Sequence, residues 1–516
     1  MERIIVIDFG GQYTHLIARR IRELGTYSEI LPASRGLDKL NMDGVIGFIL
    51  SGGPRSVKNS NSINDEIQIV NTLQKIGLPV LGICYGHQLL SLALGGKVES
   101  GKLREYGKTV AQIVPQDIFE GLKNHEVVWM SHTDLVSNPP ENAEILAKTE
   151  SCPIAALKYN VANWYSTQFH PEVHHTESGM KILENFLRKI CRAKEHWDPG
   201  DIIEQIKTAV KREIGSSNVI MAVSGGVDST VASYILHLVS PDNLYCIFVD
   251  NGLLRKNEAE EVKQFYEKFG FKHFMMIDAS KEFLDMLKGI TDPEEKRKVI
   301  AETFIRVFER EANNLSKKGI NIEFLGQGTI YPDRIESAGT GEKSAKIKSH
   351  HNVALPDWLN LKVVEPLKDL YKDEVKELAK KLGLPETLIN RQPFPGPSLA
   401  IRIIGEVTEE RLSILREADA IVREYIDRSD IRNQLWQYFA VLLPISSVGV
   451  MGDSRTYEHT IAIRIVESKD GMTANFAKID WDLLEKIASE IVNRVHGINR
   501  VVYDITNKPP ATIEWE

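Results

Sequence analysis

Two short stretches of the 516-residue sequence carry residue types that can do covalent or phosphate chemistry. The first, PVLGICYGHQLL (79–90), sets Cys84 between an apolar run and the onset of helical periodicity. A sharp strand-to-helix turn exposes its central side chain, and Gly82 and Gly86 let neighbouring backbone pass close to it. A thiol at a helix N-terminus meets the positive end of the macrodipole, which favours the thiolate. Such a nucleophile needs a base, and the base an orienting group. QFHPEV supplies His170 and Glu172, two apart at the end of a predicted strand and so on the same side of it. The turn SGGP (51–54) offers the Gly52 and Gly53 N–H groups for a developing oxyanion, with the Tyr85 N–H as a second source. Each such donor stabilises a transition state by about 3 kcal/mol.

The second stretch, MAVSGGVDSTVASYIL (221–236), again runs strand, tight loop, helix. Successive N–H groups from Gly225, Gly226, Val227, Asp228, Ser229 and Thr230 form an anion nest at a helix N-terminus, and Ser224, Ser229 and Thr230 add hydroxyls. The loop lacks the GK[ST] of a Walker A motif, so a kinase-like grip on a terminal phosphate is not indicated. GQGTIY (326–331) lacks the third glycine of a dinucleotide fingerprint. His174-His175 and His350-His351 lack a third ligand, and no metal site within the protein is expected.

These stretches must be positioned by packed elements. Hydrophobic content of 42% and charged content of 26% are those of a globular chain with sizeable cores. A net charge of −8 argues against nucleic acid or an anionic membrane as main partner. The four cysteines (Cys84, Cys152, Cys191, Cys246) are scattered, which suggests neither disulfides nor zinc. Neither a signal peptide nor a membrane span is expected, and the default location is cytoplasmic.

IIVID, GVIGFIL and PVLGIC read as buried strands separated by helical stretches, followed by strands in KTVAQIV, EVVWM and NWYSTQFH and a helix in KILENFLRKI. After the polar EHWDPGD (195–201) the alternation restarts, with strands NVIMAV, LYCIFVD, HFMMID and IEFLG. A second boundary falls near RQPFPGPSLAIRI, beyond which helix, two strands, helix and strand follow. The expected fold is α/β, with two successive α/β domains of mainly parallel sheet (1–195 and 196–395) followed by a small α+β domain (396–516).

The elbow, the SGGP turn and HPE, in that order, resemble class I glutamine amidotransferases over residues 1 to about 195. The resemblance implies that Cys84 attacks the glutamine side-chain amide and releases ammonia from a glutamyl thioester, with Gln88 helping to hold glutamine. SGGVDS resembles the loop of the N-type ATP pyrophosphatases, which cleave between the α- and β-phosphates and adenylate an acceptor. That resemblance implies Mg2+ accompanying ATP, with Asp228 assisting, no tightly bound organic cofactor, and Val249 and Leu254 in FVDNGLLR beside the adenine.

PEEKRKVI, YPDRIES…KIKSHHNV, RQPFPGPSLAIRI, VGVMGDSRTY and NKPPATIEWE together resemble the glutamine-hydrolysing GMP synthetase family over essentially the whole chain. This implies XMP as acceptor, a C-terminal domain that dimerises and helps to bind it, and nucleotide contacts at Arg297, Asp333, Lys508, Ile513 and Glu514. Lys343, Lys346 and Lys348 lie in a long aperiodic stretch, 329–358, expected to act as a lid that orders over both nucleotides. Ammonia protonates in neutral water, so shielded transfer and coupled activation of the two sites are expected. Ser398 and Ser454 stand where this family commonly has glycine, and serine is strained there if φ is positive. Two rival readings are a glutamine hydrolase or sensor with an inactive ATP domain, and an NAD synthetase. The intact SGGVDS and IEWE disfavour the first, and the triad-type amidotransferase the second.

Overall fold

The computed structural model describes residues 1–516 except 38–39, 58–62, 162, 195, 334–360, 452–453, 469–470 and 472, and the side chains of 101–104, 201 and 451. Lys343, Lys346, Lys348, His350 and His351, and with them most of the expected lid, lie outside the described residues. The chain forms two compact units, Met1–Asp198 and Pro199–Glu516. Among the described residues no helix is long and apolar enough to cross a membrane.

The first unit is built on one nine-stranded sheet. Its strands are β1 (Arg3–Asp8), β2 (Tyr27–Pro32), β3 (Val45–Leu50), β4 (Val80–Ile83), β5 (Lys97–Ile113), β6 (His125–Asn138), β7 (Glu144–Lys148), β8 (Ala156–Lys158) and β9 (Trp164–Thr167). The order is β2-β1-β3-β4-β9-β8-β7-β5-β6, parallel from β2 to β9 and antiparallel from there on. The parallel half follows from continuous apolar runs, since IIVID, GFIL and VLGI are buried on both faces. In the antiparallel half, β6 alternates buried residues with half-exposed or exposed ones along HEVVWMSHTDL, and the strands run longer than the short apolar cores KTVAQIV and EVVWM indicate. The expected helix in KILENFLRKI forms over Gly179–Asn185 and ends in a π-helical turn, Phe186–Ile190.

The second unit contains a parallel sheet of β10 (Asn218–Ala222), β11 (Leu244–Asp250), β12 (His273–Asp278), β13 (Ile322–Gly326) and β14 (Lys362–Val364), ordered β12-β11-β10-β13-β14. Strand order reverses between β10 and β13, and open α/β sheets bind ligands at the carboxyl ends of the strands beside such a reversal. The loop at 223–226 leaves β10 at that point.

A second sheet holds β15 (Gln437–Met451), β16 (Ser454–Glu467), β17 (Asn475–Phe476) and β18 (Ile498–Tyr503). Helices Glu409–Asp427 and Trp481–Arg494 pack on it. One buried core joins Ile220, Ile247 and Phe308 to Leu399, Leu415, Ile463 and Ile487, so residues on either side of position 395 share an interior. Ser398 stands in the left-handed region, φ 58°, a conformation that favours glycine, whereas Ser454 opens β16.

Candidate active sites

β4 ends at Ile83 and a helix begins at Tyr85, which leaves Cys84 alone to make the turn, at φ 54° and ψ −102°. The flanking glycines are obligatory here. A Cβ on Gly82 would meet the Gly86 carbonyl carbon at 2.7 Å, and one on Gly86 the Leu50 carbonyl oxygen at 2.5 Å. The Cys84 N–H bonds to Thr167 O of the neighbouring strand at 2.8 Å, and Gly86 N–H to Ser51 O at 3.1 Å. The strained residue is thus fixed from both sides.

Cys84 is 7% exposed, its thiol facing Ser131 O at 3.6 Å and receiving Gln168 Nε2 at 3.7 Å. His170 stands close enough to feel the Cys84 sulfur and bonds through Nδ1 to Glu172 Oε1 at 2.6 Å. Burial opposes a charge on His170, but the Glu172 carboxylate and the Cys84 sulfur favour it. The balance holds the imidazole well above its ordinary 6.5. Arg20 Nε donates to Glu172 O at 3.1 Å, Thr176 Oγ1 to His170 O at 2.6 Å, and the Tyr13 ring meets the imidazole edge-on at 5.0 Å.

Gly52 closes the group, because a Cβ there would lie 3.4 Å from His170 Cε1 and 3.8 Å from Cys84 Cβ. Gly53 packs on the Tyr85 ring and on Phe9 O. Among the described residues the Gly52 and Gly53 N–H groups have no protein acceptor. Gln88 is buried one turn along the helix and donates to Asp134 O at 2.7 Å and Gln168 Oε1 at 3.2 Å.

The other cysteines differ. Cys152, Cys191 and Cys246 are free, and burial pushes each thiol up, Cys152 to about 12. His87, from the same motif as Cys84, is driven down to about 3 by burial and stays neutral, bonded to Ser166 Oγ at 2.7 Å.

In the second unit Gly225 takes φ 72° and Gly226 caps the helix Val227–Val239. The first helical bond runs from Thr230 N–H to Gly226 O at 3.1 Å, which leaves the N–H groups of Val227, Asp228 and Ser229 ahead of it. Ser224 and Ser229 hydroxyls bond at 3.0 Å and shape the loop. The Thr230 side chain is buried. Asp228 pairs with Lys372 through Oδ2, while its buried Oδ1 has no protein partner. Gly328, in the segment after β13, lies on the loop, where a Cβ would approach Ser229 N at 3.0 Å.

The remaining sequence-predicted residues fall in different places. Val249 lies within the apolar core, whereas Leu254 is half-buried with its carbonyl on Arg416 Nε at 2.9 Å. Glu514 is gripped by Arg402 at 2.8 and 2.9 Å, Ile513 O by Arg464 Nε at 3.4 Å, and Glu516 by Arg297 and Lys296. Lys508 Nζ donates to Gly471 O at 2.8 Å. Arg297, Ile513 and Glu514 thus meet at the 513–516 segment. Asp333 stands in the helical residues 331–333 that follow Gly328, its carboxylate accepting from Ile330 N–H at 3.1 Å.

Three family models cover the chain: class-I glutamine amidotransferase over residues 5–190, NAD synthase over 200–306 and 361–440, and GMP synthase C terminal domain over 424–515. A protein of Clostridium kluyveri named GMP synthase [glutamine-hydrolyzing] is 51% identical, covering 100% of this chain and 99% of its own. Proteins of the same name from Caldicellulosiruptor saccharolyticus and Lactobacillus gasseri are 52% and 49% identical over 100% of this chain and 99% and 98% of theirs. The chain belongs to the glutamine-hydrolysing GMP synthase family.

Several residues of this GMP synthase-family chain stand at the sites without having a motif of their own. Gln168 and the Ser131 carbonyl face the Cys84 thiol. Lys372, far along the sequence, reaches Asp228, and Arg391 Nη1 bonds to the Gly225 carbonyl at 2.8 Å. Lys376 stands near Lys372, and burial together with the Lys372 and Arg432 charges lowers its pKa. In sequence, Lys372 and Lys376 look like any solvated helix face. Gln168 had one available signal, its position two residues before His170 on the same extended segment.

Proposed function

We propose that this chain makes GMP from XMP, with glutamine as nitrogen donor and ATP as activator, through residues assigned as follows. Cys84 Sγ attacks the glutamine amide carbon. His170, oriented by Glu172, carries the proton to the departing ammonia, and the N–H groups of Gly52, Gly53 and Tyr85 receive the oxyanion. Gln88 holds the elbow to the Asp134 carbonyl and supports the glutamine site behind it. Water then releases glutamate from the thioester.

In the second unit the C2 oxygen of XMP attacks the α-phosphorus of ATP, and pyrophosphate leaves into the loop formed by Ser224, Gly225, Gly226, Val227, Asp228, Ser229 and Thr230. Ammonia displaces AMP from C2. A poor carbonyl electrophile thereby becomes a carbon with a good leaving group. The main chain at Val249 and the Leu254 side chain flank the adenine, while Arg297, Asp333, Lys508, Ile513 and Glu514 hold XMP. Asp228 fits a Mg2+ carried by ATP, because its unpartnered Oδ1 is the hard oxygen donor such an ion takes. Bound there, the ion would neutralise phosphate charge.

The observation that carries this reading is the pair of strand–turn–helix sites in one chain, an ammonia source and a loop suited to pyrophosphate. The NAD synthase model matches residues of the second unit alone, and the triad-type amidotransferase of the first disfavours that rival. A homodimer is supported by the exposed pair Val448 and Tyr457, directly opposite on β15 and β16, with Val450 73% exposed beside them. The test is a reaction with Mg-ATP, XMP and amide-15N glutamine, analysed by mass spectrometry. The reading expects 15N in the exocyclic amine of GMP. Pyrophosphate release with deamido-NAD but not with XMP would sink it.

A further inference from the structure

A row of six charged side chains, the middle four buried, runs from the pyrophosphate loop to Glu514, and no step above uses it as a whole. Arg391 bonds to the Gly225 carbonyl at 2.8 Å and to Glu258 Oε1 at 2.7 Å. Glu258 Oε2 accepts the Arg255 backbone N–H at 3.0 Å. The Arg255 guanidinium lies 4.0 Å over the Phe394 ring and 3.7 Å from Asp419 Oδ2. Asp419 Oδ1 is 3.7 Å from Arg402 Nη1, and Arg402 closes the row on Glu514 with bonds of 2.9 and 2.8 Å. Arg391, Glu258, Arg255, Asp419, Arg402 and Glu514 alternate in sign throughout.

The two ends of the row are bonded along it, whereas in the middle Asp419 accepts only the Ala440 N–H, through Oδ1 at 3.2 Å, and bonds to neither arginine. Arg255, Asp419 and Arg402 are at most 3% exposed. Yet no Arg255 guanidinium nitrogen, nor Arg402 Nη1, nor Asp419 Oδ2, has a protein hydrogen-bond partner among the described residues. Buried charges left in that condition are expensive, so any movement that brings them together is favoured by the cost it removes. Burial pulls the Arg255 pKa down to about 10, against the attraction of Asp419. Both contacts at Asp419 lie just past hydrogen-bond length, so a shift of less than about 1 Å converts them to charge-assisted bonds.

We propose that Arg391, Glu258, Arg255, Asp419 and Arg402 are positioning residues that couple the two nucleotide sites. An acceptor at the Glu514 end draws the Asp419 contacts closed and, through Glu258 and Arg391, sets the Gly225 carbonyl and the loop for ATP. This rests on the assignment of ATP to the loop and XMP to the Glu514 region. By reciprocity, ATP tightens the acceptor end by the same factor.

The test is calorimetric titration of the full chain with Mg-α,β-methylene-ATP, with and without saturating XMP. XMP is expected to tighten the analogue by about 5-fold or more in the wild type. In Asp419→Asn and in Glu258→Gln the ratio is expected to fall below about twofold, each ligand alone still binding. Glu258→Gln is nearly isosteric and decides the matter if Asp419→Asn does not fold. A purely structural role would lower both affinities and leave their ratio intact. An undiminished ratio in the folded variants, or a ratio of one in the wild type, overturns the coupling while the functional reading stands. Failure of the wild type to bind either ligand overturns both.

Discussion

The thiol elbow and the pyrophosphate loop are built from one plan, a parallel strand that turns sharply into a helix, and they divide at a single backbone angle. In the first the positive φ belongs to the reacting residue itself, Cys84 at 54°. In the second it belongs to Gly225 at 72°, which has no side chain to present. A strained cysteine thrusts one atom out of the sheet, whereas a glycine takes the same region without strain and turns successive N–H groups toward a common centre. The partners differ accordingly. Cys84 is served by uncharged donors and one buried His170–Glu172 pair, suited to a neutral amide. The loop gathers Lys372, Lys376 and Arg391 from distant parts of the chain, suited to a polyanion.

The comparison can be broken most forcefully at the nucleophile. Cys84→Ala is expected to lower glutamine hydrolysis by a factor on the order of 10^4 to 10^6, measured as glutamate release. Glu172→Gln keeps the shape of the pair but loses a cause of the raised His170 pKa. We expect a loss on the order of 10^2 to 10^4 in kcat and an alkaline limb of the glutaminase pH profile moved to lower pH. The sign also fixes a stability effect. The His170 contribution is complete below about pH 6.5 and lost as pH rises through the raised folded value, so urea denaturation of Glu172→Gln should show less loss between those limits.

At the loop, Gly225→Ala forces alanine into the left-handed region and its Cβ to within 2.5 Å of Val262 Cγ2. Pyrophosphate release should fall by about 10- to 100-fold, with glutamine hydrolysis by the other unit retained. The smallest effect is expected at Ser398→Gly, which relieves a positive φ of 58° and should raise stability by about 1 kcal/mol in thermal unfolding.

What the sequence disclosed, it disclosed where the physics is local. The elbow, the glycine nest and the two-residue spacing of His170 and Glu172 each follow from one short stretch of backbone. The parallel strands were legible because burial on both faces leaves continuous apolar runs such as LYCIFVD. The antiparallel half of the first sheet was less so, because β7 and β8 are short and paired by register rather than by composition. Arg391, Lys372 and Gln168 were silent for a related reason. Their roles depend on where the chain returns, and a lysine at the start of a helix gives no sign that Asp228 waits opposite.

The central claim is that one chain holds two separable chemistries joined by ammonia. It is tested most directly by GMP formation in Cys84→Ala with Mg-ATP and XMP, comparing glutamine with ammonium chloride at alkaline pH. GMP and pyrophosphate with ammonium at the wild-type ammonium-dependent rate, and neither product above background with glutamine, is the result predicted. Equal loss with both nitrogen sources would contradict it.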